Sequence, residues 1–138
     1  ALFCFLGILN TACTINLSCN CFYFFIGDLG AGKTAFTTGL VKGLGIDADV
    51  SSPTFAICNA YIGADKTLYH FDMYRIDGWD DLYSVGFFDY LESGAYITAE
   101  WSENIYGALP DDAVIVEISK PLTSPVVNAV FPAPKSPR

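Results

Sequence analysis

The sequence predicts one small α/β domain, a mixed parallel and antiparallel sheet with flanking helices in three layers. Three observations lead there. Short apolar runs alternate with stretches of helical spacing. A hairpin pattern over residues 54–71 adds antiparallel pairing. A glycine-rich loop, Gly27-Asp28-Leu29-Gly30-Ala31-Gly32-Lys33-Thr34, lies between an apolar strand and a helix. That third feature makes the expected architecture P-loop NTPase-like.

Taken in order, residues 1–20 form an N-terminal segment of uncertain structure, and the domain proper runs over 21–119. Cys21 to Ile26 is a short aromatic run ended by Gly27, as a buried strand requires. Lys33 to Leu44 puts Phe36, Leu40, Val41 and Leu44 on one helical face, with Gly45 as the stop. Pro53 makes Ser51 to Thr54 a loop. Thr54 to Ile62 and Thr67 to Phe71 read as strands joined by a turn at Gly63-Ala64-Asp65. Asp77 to Ser84, with Asp77 as N-cap, and Phe87 to Ser93 read as short helices. Ala95 to Ala99 is a buried strand ending at Glu100-Trp101, Ser102 to Leu109 a helical turn or two, and Ala113 to Ile118 a last strand. Residues 120–138 hold five prolines in nineteen positions, which predicts an irregular tail.

Composition excludes several classes. With 52% hydrophobic and 16% charged residues in 138, the chain is globular and not intrinsically disordered. A net charge of −8 argues against unaided binding to a polyphosphate backbone. The five cysteines (Cys4, Cys13, Cys19, Cys21 and Cys58) are odd in number and lack the paired spacing of a zinc site, so they are expected to be buried or free thiols in a reducing compartment. The apolar stretch 1–9 is far short of the ~20 residues that span a bilayer. No Lys or Arg precedes Lys33, as a signal peptide would need. No membrane association is therefore expected.

The loop carries the chemistry. Glycines let successive N–H groups converge on one concavity, and the following helix adds its positive end. Asp28, Leu29, Gly30, Ala31 and Gly32 would cradle phosphates, Lys33 would supply a point charge to them, and the Thr34 hydroxyl would be a ligand for Mg2+. Two strand ends offer an acid to complete the metal shell, Asp72 and Glu100, and spacing does not decide between them. Thr54 stands where a second hydroxyl could approach a γ-phosphate, or in a plain turn. Trp101 could stack on adenine or sit in a core, and Arg75 could meet phosphate or form a surface ion pair. His70, two residues from Asp72, reads as structural.

GDLGAGKTAF at 27–36, SSPTF at 51–55, YHFDMYR at 69–75 and AEW at 99–101, in that order and spacing, resemble the TsaE family. Its members are bacterial ATPases of tRNA threonylcarbamoyladenosine biosynthesis. The resemblance spans roughly residues 22–118 and implies a compact P-loop fold, slow hydrolysis of ATP with Mg2+, a cytoplasmic location, and partnership with TsaB and TsaD proteins. Those partners would handle the tRNA and the threonylcarbamoyl chemistry while the ATPase resets the complex. By motif, Thr34 and Glu100 would hold Mg2+, Lys33 the phosphates, and Asp72 the attacking water. Thr54 would sense the γ-phosphate, and Trp101 would contact the nucleotide. Both ends depart from the family pattern. Residues 1–20 lack the helix with a nucleotide-holding threonine, and the proline-rich tail replaces a closing strand pair that bears an arginine.

Two other readings use the same loop. A small-molecule kinase would want an arginine-rich lid, but only Arg75 and Arg138 are present. A non-hydrolysing nucleotide-binding module would keep the loop without turnover.

Overall fold

The computed structural model describes residues 3–5, 14–16, 22–27, 32–53, 56–100, 105, 107–119 and 126–130. The elements are β1 (Phe3–Phe5), β2 (Thr14–Asn16), β3 (Phe22–Gly27), α1 (Lys33–Gly43), β4 (Cys58–Ile62), β5 (Thr67–Asp72), α2 (Trp79–Ser84), α3 (Phe87–Glu92), β6 (Tyr96–Glu100), β7 (Val114–Ser119) and β8 (Val126–Val130). β1 and β2 form a separate antiparallel pair. The main sheet has six strands in the order β4-β5-β6-β3-β7-β8. Its four inner strands run parallel, and the two edge strands are antiparallel.

Strand alternation divides the core in two. On one face Tyr23, Phe25, Tyr61, Leu68, Val114 and Val116 pack against Phe36, Leu40 and Val41 of α1. On the other, Phe24, Phe71, Ile97, Ala99 and Ile115 pack against Leu82 of α2 and Phe87 of α3. The three expected layers are therefore present, with helices on both sides of a mixed sheet. The periodic positions of α1 bury as the sequence implied. Its end is closed by Leu44 N–H donating to Leu40 O and Ile46 N–H to Val41 O, with Gly45 at φ 74. The β4–β5 hairpin closes over residues 63–66, where the Gly63 N–H donates to Lys66 O at 2.8 Å.

Three expectations are corrected. The first edge strand starts at Cys58; residues 56 and 57 form a turn in which Ile57 adopts φ 65. A β-branched residue there is strained, at a cost of about 1–3 kcal/mol. Asp77 does not cap α2. Gly78 is the N-cap, and the Asp77 N–H instead donates to Asp81 Oδ2, so the acid that takes this amide lies within the first turn of the helix. The tail is not irregular throughout: Val126–Val130 pairs antiparallel with β7. That pentad is free of proline and rich in β-branched residues, and its pairing covers the edge β7 would otherwise expose.

Cys58 is a free thiol, and burial pushes its pKa up to about 11, so it remains protonated at neutral pH. The side chains of the other four cysteines lie outside the described residues.

Phe87 is fully buried and meets Phe71 edge to face, with ring centroids 5.4 Å apart. It is the only buried residue of α3. Phe87→Ala is expected to cost about 3–5 kcal/mol in urea denaturation. A loss below about 1 kcal/mol would contradict its role as the anchor of that layer.

Candidate functional site

The site forms where β3, β5 and β6 end and α1 begins, at the carboxyl edge of the parallel strands. Gly32 has φ 103 and ψ 22 as the N-cap of α1, a conformation closed to most side chains. The helix has no side-chain cap and no acid in its first turn, so its own sequence does nothing to neutralise its positive end. Lys33 is only 6% exposed, and its Nζ donates to the Gly27 carbonyl at 2.9 Å, joining the two ends of the loop. An ammonium held so far from water favours an anionic ligand beside it.

One turn of α1 crosses the end of β6. The Thr34 hydroxyl donates to Glu100 Oε1 at 3.0 Å, and Glu100 is 4% exposed. A hydroxyl has one proton and two lone pairs. Spending the proton on Glu100 leaves the lone pairs of Thr34 for a cation. Further along the same contact, Thr37 Oγ1 donates to Thr98 Oγ1 at 3.4 Å, both side chains being fully buried. Alternation along β5 and β6 explains the arrangement. His70, Thr98 and Glu100 share the face toward α1, while Phe71, Ile97 and Ala99 turn to the opposite core.

His70, read from the sequence as structural, is placed by the structure beside the acid at the end of β6. It is fully buried, with Nε2 3.3 Å from Glu100 Oε1. The contact is short enough for an ion pair but poorly aligned, so neither ring nitrogen has a proper hydrogen-bond partner among the described residues. A buried polar group in that state costs about 1–3 kcal/mol. The available signal was the strand alternation, which puts His70 level with Thr98 and on the face of Glu100.

Asp72 lies opposite Glu100 in the β5–β6 register but faces another task. Its Oδ1 accepts the Tyr74 N–H at 3.0 Å. It lines a cavity of about 140 Å³ with Pro53, Ile57, Tyr74 and Arg75, where Arg75 is exposed. The backbone fixes both acids: the Asp72 N–H donates to Ile57 O, and the Met73 N–H to Glu100 O. The loop leading to Thr54 is tied down at Ser51, whose N–H donates to the Tyr61 hydroxyl and whose carbonyl accepts from that hydroxyl and from Asn59 Nδ2. Of the two acids, then, Glu100 meets the loop threonine and Asp72 does not. Asp28, Leu29, Gly30, Ala31, Thr54 and Trp101, also expected at the site, lie outside the described residues.

Hydroxyl and carboxylate oxygens are hard donors suited to Mg2+, which commonly takes one or two protein ligands and completes its shell with phosphate and water. Among the described residues there is no group of three or more His, Cys, Asp or Glu able to hold an ion without such help. Nor is any described helix long and apolar enough to cross a membrane.

Comparison with known proteins gives a consistent result. The family profile described as "Threonylcarbamoyl adenosine biosynthesis protein TsaE" matches residues 8–124. The chain is 41% identical over 92 residues to a Haemophilus influenzae protein named tRNA threonylcarbamoyladenosine biosynthesis protein TsaE, covering 67% of this chain and 58% of that one. It is 39% identical over 94 residues to the Bacillus subtilis protein of the same name, covering 68% and 58%. The crystal structure of YdiB from Bacillus subtilis superposes with a TM-score of 0.60 at 31% identity, covering 78% of this chain and 66% of that one. The chain thus spans somewhat over half the length of the curated relatives named here.

The Thr34–Glu100 hydrogen bond can be checked without any ligand. Thr34→Ala is expected to be about 1.5–3 kcal/mol less stable than Thr34→Ser, because only serine can still satisfy the buried carboxylate. Equal stability of the two variants in urea would show that the hydroxyl makes no such bond.

Proposed function

The chain belongs to the TsaE family, and from that premise we propose that it is a Mg-dependent ATPase serving tRNA N6-threonylcarbamoyladenosine modification inside a multiprotein complex. The observation that carries the proposal is the 3.0 Å contact between Thr34, at the start of the loop helix, and Glu100, at the end of β6. It supports a reading in which phosphate-binding and metal-binding groups meet at one point.

In this reading the main-chain amides of residues 28–32 and the N-terminus of α1 take up the phosphates. The Lys33 ammonium leaves the Gly27 carbonyl for the β- and γ-phosphate oxygens. Thr34 and Glu100 hold Mg2+, which when bound neutralises charge on the phosphates. Asp72 keeps one oxygen on Tyr74 N–H and offers the other to orient a water, while Arg75 faces the same cavity. Thr54 senses the γ-phosphate, and Trp101 contacts the nucleotide.

The names of the relatives place them in threonylcarbamoyladenosine biosynthesis. With a net charge of −8 the domain is ill suited to hold tRNA itself. The reading therefore assigns tRNA and threonylcarbamoyl transfer to TsaB- and TsaD-like partners in the cytoplasm.

Calorimetry with Mg-ATP is expected to give saturable binding that Lys33→Ala abolishes, and phosphate release is expected to rise when the partner proteins are added. Undiminished affinity in Lys33→Ala would overturn the proposed phosphate site. Binding without phosphate release in the full complex would favour a nucleotide-binding module over an ATPase.

A further inference from the structure

Glu100 makes both of its described side-chain contacts through one oxygen. Oε1 accepts the Thr34 hydroxyl at 3.0 Å and lies 3.3 Å from His70 Nε2, while Oε2 has no partner among the described residues. The two neighbours approach from different elements, Thr34 from α1 and His70 from the adjacent strand β5. His70 is fully buried, and its backbone is locked in register against Thr98. It is buried from solvent, and neither ring nitrogen has an aligned partner among the described residues.

We propose that His70 is a positioning residue for magnesium: its Nε2, 3.3 Å from Glu100 Oε1 but unaligned with it, turns into a hydrogen bond to that oxygen when the metal binds, and with the Thr34 hydroxyl holds Oε1 so that Oε2 is presented to the metal. The assignment rests on the nucleotide-binding reading above and adds to it a residue that the loop motif does not contain. Mg2+ tolerates little departure from octahedral geometry, so a carboxylate free to rotate is a poorer ligand than one held by a neighbour. A methylene-rich side chain at position 70 would fill the space and leave the carboxylate held by Thr34 alone. A glutamine would keep an N–H donor close to the position of Nε2.

The test measures ADP affinity by calorimetry in magnesium and in EDTA, for the wild type, His70→Leu and His70→Gln. The wild type is expected to bind ADP more tightly with magnesium. His70→Leu should lose about tenfold of that magnesium gain, with its affinity in EDTA within about twofold of wild type, and His70→Gln should recover most of the loss. A merely structural role would lower both affinities together, and that outcome overturns the assignment, as does an undiminished magnesium gain in His70→Leu.

Should His70→Leu fail to fold, the wild type decides. His70 is the only histidine, so its imidazole NMR signals are identified without assignment. Adding magnesium to the ADP complex should move them, and unmoved signals overturn the proposal. If the wild type binds no ADP at all, the nucleotide reading itself has failed; if it binds ADP with a magnesium gain indifferent to position 70, only the role of His70 has.

Discussion

The meeting of α1 with the end of β6 fixes most of what this domain can do. Helix α1 packs on the sheet mainly through Phe36, Leu40 and Val41, but its first turn carries polar groups into that apolar contact. Thr34 reaches Glu100, and one turn later Thr37 reaches Thr98. Buried polar groups in such an interface are costly unless they satisfy one another, so each pair constrains where the helix can sit on the sheet. The positive end of α1, the Lys33 ammonium and the Glu100 carboxylate are consequently brought to one corner of the fold. Shifting the helix would orphan those groups before it disturbed the aromatic core.

Much of this was legible in the sequence because its signals are local. Gly27 to Thr34 between an aromatic strand and an amphipathic helix specifies a strand-loop-helix turn, and the structure has β3 and α1 on either side of it. The hydrophobic spacing of α1 gave its buried face, and the apolar runs at 67–71 and 95–99 gave two of the parallel strands. Glu100 and Asp72 could be named as acids at strand ends. Spacing alone did not separate them, and only the family resemblance assigned them different roles; that Glu100 is the one that meets Thr34 depends on which acid the first turn of α1 crosses.

What escaped the reading was non-local or masked by composition. Five prolines around Val126–Val130 hid a short valine-rich strand that pairs with β7. Asp77 looked like a cap because acids commonly cap helices, yet the Asp81 carboxylate took the backbone amide at that end instead. His70 looked like a core residue, and by burial it is one; its relation to Glu100 appears only when β5 and β6 are laid side by side. The strand at 126–130 and the placement of His70 were set by pairing with another strand, and the helix cap by an acid a single turn away.

The central claim is that a loop threonine and a strand-end glutamate together form the metal site, and a crystal structure of the Mg-ADP complex tests it most directly. The account predicts magnesium at about 2.0–2.1 Å from Thr34 Oγ1, on the side of the Glu100 carboxylate. Magnesium bound instead at Asp72, with the Thr34–Glu100 hydrogen bond intact and remote from the phosphates, would contradict it.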